Sequence, residues 1–225
     1  MDRKKAFYEE MQEVKELLLK KEIPDRYPES IEKIRQDPYK NDYYVNRFDF
    51  INISSFALIS KKWVVPLAEY ISANKCLEVM AGKGVLSKSL YDCGVNIKAT
   101  DNYTWKWHRS GQNKGGQRLS LDELWFGVEN MDCIEAIIKY GANMDFIICC
   151  WPPYQSDALY HALIKMRDIN PKCRLIYIGE GKGGCNAENR FFNEAVYIND
   201  DERFNDITRR FQKWAAIYDK ISLIK

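Results

Sequence analysis

Between Lys75 and Gly181 the chain alternates short apolar runs with helical patterns, and this alternation limits the available folds most severely. KCLEVM, NIKATD, MDFIICC and CRLIYIGEG read as strands. GVLSKSLYDCG, CIEAIIKYGA and SDALYHALIKMRDIN read as helices, and GVENM adds a strand after a long polar loop. Strands separated by helices of about 10–15 residues build right-handed β-α-β units, hence a mainly parallel sheet with helices on both faces. NEAVYIND and AAIYDKISLIK are expected as two further strands near the C-terminus. An α/β domain follows from this pattern alone.

Upstream, Phe7, Met11, Val14 and Leu18 form a helical stripe whose other face carries charges of both signs. Such a stripe either docks on the core or contacts a second copy. Pro24, Pro28 and Pro38 then break the chain into an irregular or short-helical wrapper holding Tyr27, Tyr39, Tyr43, Tyr44 and Arg47. From about Ile51 a second helical pattern runs through FALISKKWVVPLAEYISANK, interrupted or kinked by Pro66. The expected division is a helical extension over 1–46 and a ligand-binding domain over 47–225. The chain's 225 residues and 46% apolar content suffice for one substantial core.

Charge and cysteine usage exclude several classes. The net charge of +2 demands no nucleic acid, and no apolar run reaches the ~20 residues of a bilayer span. The charged N-terminus does not read as a secretory leader. Seven cysteines without a C-x-x-C pair suggest neither a zinc knuckle nor a disulfide scaffold, so a reducing cytoplasm is the expected home. With only His108 and His161, His-based metal or triad chemistry has little room, and no metal ligand set is assigned.

The first strand runs through Glu78 into Met80, Ala81, Gly82, Lys83 and Gly84, where a helix begins. Glycines here let backbone amides approach a ligand and permit positive φ. Asp101, followed by Asn102, closes the second strand, where a carboxylate can accept from two ribose hydroxyls. Asp132, after Met131, ends the third and can accept an adenine amine. G-x-G alone is shared by many ordinary turns; strand, G-x-G, helix, strand and terminal Asp together are far more specific.

This arrangement resembles motif I of the class I, Rossmann-like, S-adenosylmethionine-dependent methyltransferases. The resemblance implies a Rossmann-like methyltransferase fold with an antiparallel C-terminal strand and S-adenosyl-L-methionine as cofactor. It gives Glu78 to the methionine part, Asp101 to the ribose and Asp132 to the adenine, with Met80, Ala81, Gly82, Gly84, Asn102, Met131 and Cys150 around them. Met80 departs from the pattern, standing where the family most often has its first glycine. The chain is also similar to a little-characterised methyltransferase-like group. The shared features are an aromatic-rich helix before the first strand, the strand end CWPP, the segment YIGEGKGGC and a late WAAIYD. The resemblance covers roughly residues 50 to 225 and carries no substrate.

The fourth strand ends in Trp151, Pro152, Pro153 and Tyr154. Amine-directed members of the family carry Asp or Asn before Pro-Pro and an aromatic after it. The polar side chain accepts from the target amine and the ring stacks on the substrate. Here Trp151 replaces the acid or amide, and an indole donates one hydrogen bond and accepts none. The accepting role then passes to the Cys150 or Trp151 carbonyls or to another residue. Trp151 and Tyr154 are expected either to sandwich a flat ring or to cage the sulfonium by cation–π attraction.

Two further stretches reach the same edge. Between Asn102 and Ser120, Lys106, Arg109, Lys114 and Arg118 interleave with Tyr103, Trp105 and Trp107. Such a loop suits a nucleotide or single strand, a lid over an anionic molecule, or a solvated insertion packed on the N-terminal extension. Glu180 ends the fifth strand and either meets a substrate amine or pairs with Lys182 or Arg190. Cys185 lacks a neighbouring histidine and is set aside as a nucleophile. The function expected is S-adenosylmethionine-dependent methyl transfer to a planar nitrogen acceptor, such as a nucleobase or nucleotide. A nucleotide or nucleic acid is the expected partner, and a membrane is not. The competing readings are a sensor or scaffold that binds the cofactor without turnover, and an enzyme that cleaves it.

Overall fold

The computed structural model describes residues 3–33, 45–104 and 121–225. Its helices are α1 (Arg3–Leu19), α2 (Arg47–Ile53), α3 (Lys61–Ile71), α4 (Val85–Asp92), α5 (Cys133–Tyr140), α6 (Ala158–Ile169), α7 (Asn189–Glu194) and α8 (Glu202–Arg210). Its strands are β1 (Lys75–Val79), β2 (Asn96–Asp101), β3 (Val128–Asn130), β4 (Phe146–Cys150), β5 (Arg174–Gly179) and β6 (Lys220–Ile224). The six strands form one sheet in the order β3-β2-β1-β4-β5-β6. All neighbours run parallel except β5 and β6, which are antiparallel. This is the expected Rossmann-like methyltransferase topology. Because β2 and β3 build out on one side of β1 and β4 on the other, the strand order reverses between β1 and β4, and a crevice opens at their carboxyl ends.

Strand alternation divides the core into two layers. Cys76, Phe146, Ile148, Ile176 and Ile178 face one side with Trp63, Leu67 and Phe204. Leu77, Val79, Ile147, Cys149 and Tyr177 face the other with Ile137, Leu163 and Phe191. Parallel strands covered on both faces read as continuous apolar runs, which is why they were visible in the sequence. The stripe Phe7, Met11, Val14 and Leu18 is buried in the first layer, so α1 docks on the core. Gln212 clips the segment after α1: its Oε1 accepts from the Tyr27 N–H at 3.0 Å and its Nε2 donates to the Tyr27 carbonyl at 2.9 Å.

Three expectations change. The helix foreseen from Ile51 onward is two helices, because Ser54 departs from helical geometry after α2 and Ser60 opens α3. Pro66 is accommodated inside α3. NEAVYIND forms no strand; α7 takes its first residues, and Tyr197 alone bridges to Ile224 before Asp201 caps α8 by accepting from the Phe204 N–H. The last strand begins at Lys220 rather than Ala215, since the chain turns through Ala216 at φ 63°. Tyr39, Tyr43, Tyr44 and the cationic-aromatic stretch from Trp105 to Ser120 lie outside the described residues. Among those described, no helix is long and apolar enough to cross a membrane.

Candidate functional site

A cleft of about 780 Å³ lies over the carboxyl ends of β1, β2 and β4. The first wall grows from the turn after β1. Met80 at φ 54°, Gly82 at φ 56° and Gly84 at φ 72° are all left-handed, so this departure from glycine leaves a side chain on a backbone that glycine adopts more readily. Gly84 opens α4 and admits no side chain: a Cβ there would stand 2.8 Å from Val128 and 2.9 Å from Phe126. At Gly82 a Cβ would meet nothing within 4 Å, so backbone there adjoins open space.

Glu78 lies buried beneath this turn, and its Oε2 accepts from the Ser87 N–H at 3.0 Å and the Ser87 hydroxyl. Burial pushes its carboxyl up to about 7, against the opposing effect of the Ser87 bonds, and the charge of Asp101 adds to the rise. Asp101 accepts from Gly82 N–H at 2.8 Å through Oδ2 and from Tyr103 N–H at 2.6 Å through Oδ1. Its carboxyl is raised by burial and lowered in part by those two amides. Asp132 caps α5, accepting from Ile134 N–H at 2.8 Å, while Asn102 Nδ2 donates to its other oxygen at 3.3 Å. All three acids line the same cleft with Met80, Ala81, Gly82, Asn102, Met131 and Cys150. Gly84 supports the turn from behind and does not line it.

The opposite wall is Trp151, Pro152, Pro153 and Tyr154. Trp151 takes φ 58° and its backbone N–H donates to the Ile178 carbonyl at 2.7 Å. Its ring stacks on Phe56 with centroids 5.3 Å apart and planes 13° apart, and the Arg47 guanidinium stands 5.1 Å from its centroid. The indole Nε1 donates to Asp219 Oδ2 at 3.1 Å. The indole, expected to sandwich a flat ring or cage the sulfonium, is thus already stacked on Phe56 and hydrogen-bonded through its Nε1 within the protein. Tyr154 is 62% exposed at the mouth, and Gln155 N–H donates to the Ala187 carbonyl beside it.

Glu180, expected to meet a substrate amine or to pair with Lys182 or Arg190, is engaged by backbone amides. It does not line the cleft; Oε2 accepts from Cys185 N–H at 2.8 Å and Oε1 from Tyr218 N–H at 2.9 Å, tying the glycine-rich loop to the last turn. Burial would raise its carboxyl, but those two amides and nearby Arg47 hold it below the ordinary range. Neither Lys182 nor Arg190 pairs with it: Lys182 donates to Asn193, and the Arg190 guanidinium lies over Tyr160. Burial and the charge of Glu180 push the Cys185 thiol up, against a ready thiolate.

Arg47, Phe48, Ser54, Ser55 and Phe56 come from α2 and the segment after it, and the sequence assigned none of them to the site. The sequence pattern places Arg47 in the wrapper instead. An arginine among aromatics at a helix start was the available signal. Among the described residues no group of three or more His, Cys, Asp or Glu is arranged to hold a metal ion.

No protein-family model matches the chain, and no curated protein is similar to it in sequence. Solved structures are similar in chain path. TehB from Haemophilus influenzae is 15% identical with a TM-score of 0.44, covering 80% of this chain and 66% of its own. The ribosomal protein L11 methylase from Lactobacillus delbrueckii subsp. bulgaricus is 11% identical with a TM-score of 0.37, covering 76% and 81%. Human N-acetylserotonin methyltransferase is 13% identical with a TM-score of 0.41, covering 80% and 55%. The chain thus spans just under two thirds of the first of these and about half of the last. At such identities the likeness concerns the fold alone.

Proposed function

We propose that the chain binds S-adenosyl-L-methionine across the tips of β1, β2 and β3 and transfers its methyl group to a planar nitrogen acceptor such as a nucleobase or nucleotide. The observation that carries this reading is the convergence of Glu78, Asp101 and Asp132 on one cleft faced by Trp151–Tyr154. A volume of about 780 Å³ is within the usual range for small-molecule sites and leaves room for an adenosyl ligand beside a flat ring. The donor set fits the cofactor: each Asp101 oxygen keeps a lone-pair direction beyond its single backbone bond, available to a ribose hydroxyl. Acids along the cleft favour a cation over an anion.

When bound, the cofactor supplies an electrophilic methyl on a sulfonium. The protein's own share is to hold, orient and dry. Asp101 and Asp132 fix the nucleoside end, Glu78 and the Met80–Gly82 backbone border the amino-acid end, and Cys150 with the Pro-Pro corner bounds the reacting side. The rigid indole wall orients the acceptor lone pair and excludes water, so rate enhancement comes from positioning and desolvation.

Calorimetry with S-adenosylmethionine and S-adenosylhomocysteine, followed by transfer of a labelled methyl group to offered nucleosides and nucleotides, tests the proposal. Binding of both with label appearing in a planar nitrogen compound is the expected result; no binding of either removes it. Binding without transfer would favour a cofactor sensor. Trp151 favours that second reading, because its side chain offers a target amine no hydrogen-bond acceptor.

A further inference from the structure

Resting on the methyl-transfer reading, the wall around Trp151 narrows the chemistry of the acceptor. Arg47 lines the cleft, yet its Nε and Nη2 have no hydrogen-bond partner and are shielded from solvent. Buried guanidinium nitrogens are costly to leave unpaired. Desolvation lowers the proton affinity of Arg47, while Asp219 and Glu180 oppose that loss through their charge. Neither makes an ion pair with it within 4.0 Å: Glu180 spends its oxygens on backbone amides, and Asp219 Oδ2 holds the indole N–H. Asp219 is 2% exposed, and its Oδ1 has no partner.

This corner therefore contains one cation with donors to spare, two acids, and one acceptor to spare. Burial raises the Asp219 carboxyl to about 6, so above that pH the corner is net negative and an additional anion is repelled, whereas a neutral lone pair is welcomed by the guanidinium. The surrounding rings, Phe48, Phe56 and Trp151, suit a flat group.

We propose that Arg47 anchors the acceptor by donating to a lone-pair atom of a neutral, planar, lactam-type edge, and that Asp219 sets this preference by balancing Arg47 and fixing the Trp151 indole. Arg47 touches substrate; Asp219 is a positioning residue.

The test uses two flat bicyclic probes of comparable size, isoquinolin-1(2H)-one as the neutral lactam and 2-naphthoate as the anion, titrated with S-adenosylhomocysteine present. The wild type should bind the lactam at least about tenfold more tightly than the anion, the scale of one charge-assisted hydrogen bond. Arg47→Met should lose that lactam affinity while keeping its affinity for S-adenosylhomocysteine. Should the Met variant fail to fold, Arg47→Lys keeps the charge without the planar fork and should also weaken the lactam. Asp219→Asn removes one negative charge, so the preference for lactam over naphthoate should narrow, a change that a merely structural role would not produce. A wild type preferring naphthoate, a lactam affinity indifferent to both Arg47 variants, or a preference unchanged in Asp219→Asn overturns the proposal. If S-adenosylhomocysteine itself does not bind, the cofactor reading has failed instead, and the same titrations without it still decide the role of Arg47.

Discussion

Glu78 and Asp101 are both strand-tip carboxylates, but their surroundings give them different work. Glu78 is fully enclosed and its carboxyl is raised to about 7, so the folded protein binds its proton more tightly than the unfolded chain does. That stabilising proton is fully present below the unfolded value of about 4.3 and is lost as pH rises through 7. Relative to Glu78→Gln, wild-type stability in urea should therefore fall by roughly 2–4 kcal/mol from pH 4.5 to 7.5; parallel profiles would show that Glu78 is not perturbed. Asp101 has two short amide bonds and free lone pairs. Asp101→Ala should weaken S-adenosylhomocysteine binding by about 1–3 kcal/mol, read by calorimetry, and an unchanged affinity would remove the ribose assignment. Gly84→Ala meets both left-handed strain and two side chains inside 3.0 Å. It should cost about 2–4 kcal/mol in thermal or urea unfolding. The acids and glycines were legible because each sits at a strand end, where local pattern fixes position. Glu180 sits at such an end too, but backbone amides from Cys185 and Tyr218 claimed its oxygens, and no local pattern announces that.

At the scale of elements, the sheet was readable and its borders were not. β1, β4 and β5 are buried on both faces and stand out as apolar runs. α8 went unseen because only Phe204 and Ile207 face inward; the Asp201 cap and the closing Arg209 and Arg210 were its only signals. NEAVYIND looked like a strand by composition but lies at the sheet edge, where a single bridge suffices before the cap takes over. The clip between Gln212 and Tyr27 joins segments far apart in sequence and could not be foreseen. Gln212→Leu leaves the Tyr27 N–H and carbonyl buried without partners. It should destabilise the protein by about 1–3 kcal/mol, measured by urea unfolding with S-adenosylhomocysteine affinity retained in the folded range; no loss of stability would mean that the clip is dispensable.

For the whole molecule, function depends on where the strand order reverses. The reversal at β1 and β4 brings a glycine turn, three acids and a Trp-Pro-Pro-Tyr corner to one cleft. The half of that cleft built from strand tips could be read from the sequence. The half built from α2 and Phe56, with Asp219 behind the Trp151 indole, could not, since those residues meet Trp151 only through tertiary packing. A crystal structure with S-adenosylhomocysteine tests the central claim most directly. The expected density has the nucleoside running over Met80–Gly82, its ribose hydroxyls on Asp101 and its base beside Asp132. A ligand found elsewhere, or one in the cleft that leaves both aspartates untouched, would contradict it.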